Sequence, residues 1–206
     1  SVADPEAFWG EQGKRLDWMT PYTRVKSVDY GKGSGTDVQI RWFEDGVLNL
    51  SVNAIDRHLA QRGDQVAIIF EGDDPNEDAR VTYRELSGHV NRLANGLRAM
   101  GVKKGDRVAI AMRNYPEWII AFMAATSIGA IAVALNALWQ SDELAYALQD
   151  CEPRVIVVDQ ERLDRFAGHE RAGMAIVGVR LNRAAPAGVR AFEDLISAYA
   201  GADMPP

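Results

Sequence analysis

Short apolar runs recur along this chain at a spacing that leaves room for one helix between each pair. They are VAIIF at 66–70, RVAIAM at 107–112, AIAVAL at 130–135, RVIVVD at 154–159 and MAIVGVRL at 174–181. A strand with one wet face alternates apolar and polar residues. A strand covered on both faces is apolar throughout, which is the mark of a parallel sheet with helices on either side. The segments between the runs read as helices. The clearest begins at Thr82-Tyr83-Arg84-Glu85, where a hydroxyl and a carboxylate stand at capping-box spacing. Leu86, Val90, Leu93, Leu97 and Met100 then recur at helical period, and Gly101 supplies the stop. Further helices are expected at 51–61, from Pro116, at 141–148, at 160–166 and at 191–199. The pattern predicts an α/β fold, a parallel sheet with helices on both faces and right-handed crossovers. EGDDPNED at 71–78 reads as a polar turn-rich loop.

The first 50 residues carry a different signal. After a short helix at 5–16, Trp18, Tyr22, Tyr30, Trp42 and Phe43 are scattered without periodicity. Rings spaced this way suit an irregular arm anchored by its aromatics. The glycine-rich bend YGKGSGT at 30–36 lies within it. The expected division is therefore an arm over 1–50 and an α/β subdomain over 51–206, the latter an incomplete part of a larger domain.

Composition excludes some functions. A net charge of −6 with no Lys/Arg run gives no footprint for nucleic acid. The stretch from Trp118 to Leu135 has no charged residue and approaches bilayer length. However, it contains Thr126, Ser127 and Gly129 and changes from helix-like to strand-like midway, so no membrane span is expected. Cys151 is the sole cysteine, which rules out an internal disulfide and suits a reducing, cytoplasmic setting. The opening SVADPEAFWG lacks the basic and apolar regions of a secretory leader.

Candidate chemistry is sparse. GKGSGT lacks the strand before it and the helix after it that a phosphate cradle needs, so it reads as a surface bend. Lys103, Lys104 and Arg107 read as a solvated loop beside Asp106. His58, His89 and His169 have no metal-ligand spacing, and His58 and His89 read as surface or packing residues. Asp73, Asp74, Glu77 and Asp78 lack the glycine and glutamate of a Ca²⁺ loop. Cys151 has no histidine or second cysteine nearby and reads as a small helix-end residue rather than a nucleophile. No Ser/His/Asp triad is identifiable.

Two blocks carry a family resemblance. FWGEQGKRLDW, IRWFEDGVLNLSVNAIDRHL, AIIFEGDD and VTYRELSGHVNRLANGLRAMGVKKGDRVAI occur in order over most of residues 8–110. Together they resemble the N-terminal region of acetyl-CoA synthetase and its short-chain relatives. RNYPEWIIAFMAATSIGAIAVALNALWQSDELAYAL resembles the adenylate-forming ligases more broadly, and fatty-acid or other acyl-CoA ligases more than acetyl-CoA synthetase. Acetyl-CoA synthetases carry a Gly-Gly pair, implicated in CoA contact, where this chain has Ala137-Leu138. That departure points away from acetate and from that contact.

The resemblance implies an AMP-forming acyl-CoA synthetase. Such an enzyme activates a carboxylic acid (acetate, a short-chain or another fatty acid) with ATP and Mg²⁺ to acyl-AMP, then forms acyl-CoA from CoA. It also implies that the phosphate loop, the adenine and ribose contacts and the catalytic lysine lie outside these residues. No catalytic residue is therefore assigned. Asn136, Ala137, Leu138 and Trp139 are the candidate CoA-proximal edge, and no metal ligand is proposed. These residues alone are expected to be inactive, to bind none of the three cofactors tightly, and to self-associate through an open sheet edge or an uncovered apolar face. The alternative is a non-catalytic binding or interaction module built on the same fold.

Overall fold

The computed structural model describes residues 2–31 and 38–201. Most of the GKGSGT bend and the Pro-ending tail lie outside the described residues. Contacts divide the chain into two compact units, Ser1–Asn53 and Ala54–Pro206.

In the first unit, α1 (Pro5–Gly13) starts where Asp4 Oδ1 accepts the Ala7 N–H at 2.9 Å, with Pro5 in the first turn. The aromatics anchor the arm to itself. Trp18 Nε1 donates to Gly13 O at 2.8 Å, and the Tyr22 hydroxyl donates to Gly10 O at 2.6 Å. Tyr22 packs against Trp18 and Phe43 with ring centroids 5.0 and 4.6 Å apart. A Cβ on Gly46 would lie 2.5 Å from the Trp18 ring, so only glycine allows this closure. The arm also contains an antiparallel pair that its sequence does not signal, β1 (Lys26–Asp29) with β2 (Gln39–Trp42).

The junction carries a correction. A single helix over 51–61 is expected, but α2 (Leu50–Ala54) stops at Ile55, whose backbone leaves the helical region at φ −125°. A 3₁₀ turn (Asp56–His58) and α3 (Leu59–Arg62) follow. Ile55 is buried in the core of the second unit, and this burial outweighs continuation of the helix.

A second correction concerns VAIIF. β3 (Val66–Phe70) has the predicted bounds but is not part of the parallel sheet. It pairs antiparallel with β4 (Ala79–Thr82), and only Ile68 of the strand is buried. Apolar content marks a strand, but does not show which neighbour it pairs with. The acidic loop joins the two strands through a 3₁₀ turn (Pro75–Glu77) that Asp74 caps.

The remainder matches the predicted class. The parallel sheet contains β5 (Arg107–Ala111), β6 (Ile131–Ala134), β7 (Val155–Asp159), β8 (Ala175–Val179) and β9 (Val189–Ala191), in the order β6-β5-β7-β8-β9. The three-residue β9 was not predicted. α4 (Tyr83–Ala99), α5 (Pro116–Ser127) and α8 (Phe192–Ala198) cover one face, with Leu93, Leu97, Ile120 and Phe192 against Val108, Ile110, Val155 and Val157. α6 (Ser141–Cys151) and α7 (Gln160–Arg165) cover the other, with Leu144, Leu148 and Leu163 against Ala109, Ala111, Ile156 and Val158. Alternate strand residues thus feed two separate cores, which is why these strands are apolar throughout. The capping box of α4 is formed: Glu85 N–H reaches Thr82 Oγ1 at 3.2 Å, and Glu85 Oε2 accepts the Thr82 N–H at 2.8 Å. The uncharged stretch resolves into α5, a turn and β6. No described helix is long and apolar enough to cross a membrane.

Candidate functional site

The chain enters the sheet at β5, moves outward to β6, then returns to the other side of β5 as β7. The crossovers diverge at this point, leaving a crevice at the carboxyl ends of β5 and β7, where open α/β sheets bind ligands. A cavity of about 300 Å³ opens there, lined by Arg113 and Tyr115 after β5, Asp159 at the end of β7, Glu161, Arg162 and Asp164 on α7, and Arg180 and Asn182 after β8.

The predicted residues Asn136, Ala137, Leu138 and Trp139 lie at the same edge, in the loop between β6 and α6. Asn136 Oδ1 accepts the Leu138 N–H at 2.9 Å, and Asn136 O accepts the Trp139 N–H at 3.2 Å, closing a tight turn. Asn136 and Leu138 face solvent, with Leu138 77% exposed, while Trp139 packs against the α6 side of the core. Neither Ala137 nor Leu138 adopts a left-handed backbone, so the loop requires no glycine there. At α6, Glu143 Oε2 accepts the Gln140 N–H at 2.9 Å, which fixes the loop's exit.

Sequence reasoning missed the arginines that hold this edge together. Arg162 Nε donates to Ala137 O at 2.8 Å, and Arg165 Nη1 donates to Ala137 O and Trp139 O, both at 3.0 Å. Arg162 Nη1 also pairs with Asp159 Oδ2 at 3.1 Å, with both side chains at least nine-tenths buried. Asp159 Oδ1 caps α7 through the Arg162 N–H, and its Oδ2 accepts the Arg113 N–H at 3.0 Å. Arg180 holds a left-handed backbone, φ 49°, and lies 4.5 Å over the Tyr115 ring while Nε bonds both oxygens of Glu117. A signal was available in the sequence: DQERLDR directly follows an apolar strand, which puts its charges at the ligand edge.

The other candidates behave differently. Burial pushes the Cys151 thiol upward, away from the thiolate a nucleophile needs. Cys151 ends α6 beside a cavity of about 590 Å³ with an apolar floor of Val133, Leu135 and Ala147. Arg107 is not the solvated loop residue expected: its guanidinium donates to Cys151 O at 2.8 Å and Glu152 O at 2.9 Å, satisfying the end of α6. His58 packs against the Tyr83 ring at 5.7 Å. His89 is half-buried, and burial with Arg92 nearby lowers its pKa. Among the described residues no three His, Cys, Asp or Glu side chains form a group that could hold a metal ion.

Comparison with known proteins places this geometry. Residues 55–193 match the family described as "AMP-binding enzyme", and residues 1–54 match "Acetyl-coenzyme A synthetase N-terminus". The acetyl-coenzyme A synthetase of Xanthobacter autotrophicus is 51% identical over 163 residues, 79% of this chain and 25% of that protein. That of Rhizobium rhizogenes is 52% identical over 163 residues, 79% of this chain and 24% of that protein. A stretch of 163 residues within 206 includes the 136–139 loop wherever it begins, so this likeness runs through the second block as well. The solved acetoacetyl-CoA synthetase from Streptomyces lividans superposes with a TM-score of 0.79 at 26% identity, covering 98% of this chain and 32% of that one. The chain spans about a quarter of the length of the curated relatives it matches. On the family match and the shared sheet together, this chain belongs to the AMP-binding enzyme family, with an acetyl-coenzyme A synthetase-type N-terminus.

Proposed function

We propose that this chain is the N-terminal part of an acid–thiol ligase that activates a small carboxylic acid, acetate or another short-chain acid, with ATP. The likeness to acetyl-coenzyme A synthetases, through both the arm and the 136–139 loop, supports this reading most strongly. It favours acetate over the longer acids that Ala137-Leu138 suggested. The physical logic of such an enzyme is plain. A carboxylate is a poor electrophile, an acyl-adenylate is a good one, and AMP leaves readily when a thiol attacks.

In this reading Asn136, Ala137, Leu138 and Trp139 form a CoA-proximal edge. The ligand-side position of the loop supports this reading. The cavity beside it is lined by as many acidic side chains (Asp159, Glu161, Asp164) as arginines (Arg113, Arg162, Arg180), so its charge does not select for an anion. ATP and Mg²⁺ are assigned to no residue of this chain, because the resemblance carries the phosphate loop, the adenine and ribose contacts and the catalytic lysine onto none of its positions. Magnesium, when bound, neutralises the phosphate charge as pyrophosphate departs. In this reading these 206 residues alone form no acyl-adenylate, because the resemblance matches none of the adenylating groups to them. We place the whole protein in the cytoplasm, acting on small molecules and not on nucleic acid.

A hybrid tests this reading: the chain replaces the matching quarter of the Xanthobacter relative, and acetate-dependent acyl-CoA formation is measured. Restored activity is expected. A folded hybrid that binds ATP but makes no acyl-CoA from any short acid contradicts the reading.

A further inference from the structure

Two guanidinium groups of α7 reach across the ligand edge of the sheet and end on main-chain oxygens of the 136–139 loop. Arg162 is 4% exposed and donates through Nε to Ala137 O and through Nη1 to Asp159 and Glu161. A guanidinium has five N–H groups in a rigid fork, and here three of them serve the chain's own acceptors. Arg162 is thus not offered to solvent as a ligand-binding cation. Its partner Asp159 also holds the Arg113 N–H. One buried pair therefore joins the segment after β5, the loop after β6 and the start of α7.

We propose that Arg162 and Arg165 are positioning residues that set the backbone of the 136–139 loop through its carbonyl oxygens. A Gly-Gly loop would derive its shape from backbone freedom. This loop, with Ala137 and Leu138 outside the left-handed region, derives its shape from two arginine clamps. The clamp fixes where the Leu138 side chain stands, and so what the edge presents to a thiol-bearing cofactor. The role in cofactor binding rests on the CoA-proximal reading, whereas the clamp itself does not.

Amide hydrogen exchange at Leu138 and Trp139 in the ligand-free chain reads the clamp directly. Arg165→Gln leaves no buried charge behind, and Arg162→Lys keeps the charge but loses the fork. Each is expected to speed exchange at both amides about tenfold, as the loss of one or two net hydrogen bonds allows. The β7 amides, Val157 among them, are expected to stay protected and report that the fold survives. Unchanged exchange at Leu138 and Trp139 in both variants overturns the proposal. In the hybrid enzyme, the KM for CoA is expected to rise more than the KM for ATP. Faster loop exchange with an unmoved KM for CoA upholds the clamp and overturns the CoA-proximal reading. A raised KM for CoA with unchanged loop exchange makes these arginines direct ligands and overturns the clamp.

Discussion

Asp159 Oδ2 accepts the backbone N–H of Arg113 at 3.0 Å, across 46 residues of sequence, tying together the ends of two neighbouring parallel strands. The same oxygen pairs with Arg162 Nη1 at 3.1 Å. Removing the carboxylate takes from the buried guanidinium its buried partner, leaving it the half-exposed Glu161, and frees an amide at once. Asp159→Ala is expected to lower stability by about 3–5 kcal/mol, as breaking a buried pair does. Urea unfolding measures it, and a loss below about 1 kcal/mol, the scale of an exposed pair, contradicts the buried-pair account.

The start of α4 gives a milder case. Thr82→Ala removes the hydroxyl that receives the Glu85 N–H, and is expected to cost about 1 kcal/mol. Glu85 adds a pH signature. The Thr82 N–H and hydroxyl hold its carboxyl below the usual range. Its contribution is therefore present above the unfolded pKa and lost as pH falls through the folded one. Glu85→Gln should narrow the stability difference between neutral and acid pH; an identical acid profile in the variant counts against the cap.

Asp56 has the opposite sign. Burial raises its pKa, and Ser87 Oγ donates to it at 3.2 Å. A raised carboxyl pKa contributes stability below the unfolded pKa, and that contribution is lost as pH rises through the folded pKa. At pH 7 the charged form is thus a liability, and Asp56→Asn is expected to stabilise the fold there, with the gain shrinking towards acid pH. Thermal melts across pH 3–8 test this, and destabilisation at pH 7 goes against it.

Much of the second unit was legible before its structure. RVAIAM and RVIVVD announced buried parallel strands because both sheet faces are covered, and Leu86, Val90, Leu93 and Leu97 announced α4 because one stripe faces the core. VAIIF was misassigned because an apolar run does not name its partner strand. β1, β2 and β9 were missed because they are three or four residues long and partly polar. The 136–139 loop was singled out by the resemblance to acetyl-CoA synthetases, which carry a Gly-Gly pair at the matching positions. Arg162 and Arg165 were not, since charges three apart on a short helix usually face water. Only the strand order brings them beside Ala137 O.

β6 is one of the two edges of the five-stranded sheet, and Ile131 on it is 51% exposed. An exposed apolar edge strand invites pairing. We expect the isolated chain to self-associate as its concentration rises, and Ile131→Lys to reduce this. A strictly monomeric species at high concentration in sedimentation analysis contradicts the expectation.

We propose that these residues form part of the scaffold and the CoA-proximal edge of a ligase whose adenylating groups they do not supply. Carboxylate-dependent ATP–pyrophosphate exchange, measured on the purified chain and on the hybrid side by side, tests it most directly. Exchange in the hybrid and none in the chain alone is the predicted result. Exchange above background by the chain alone contradicts it.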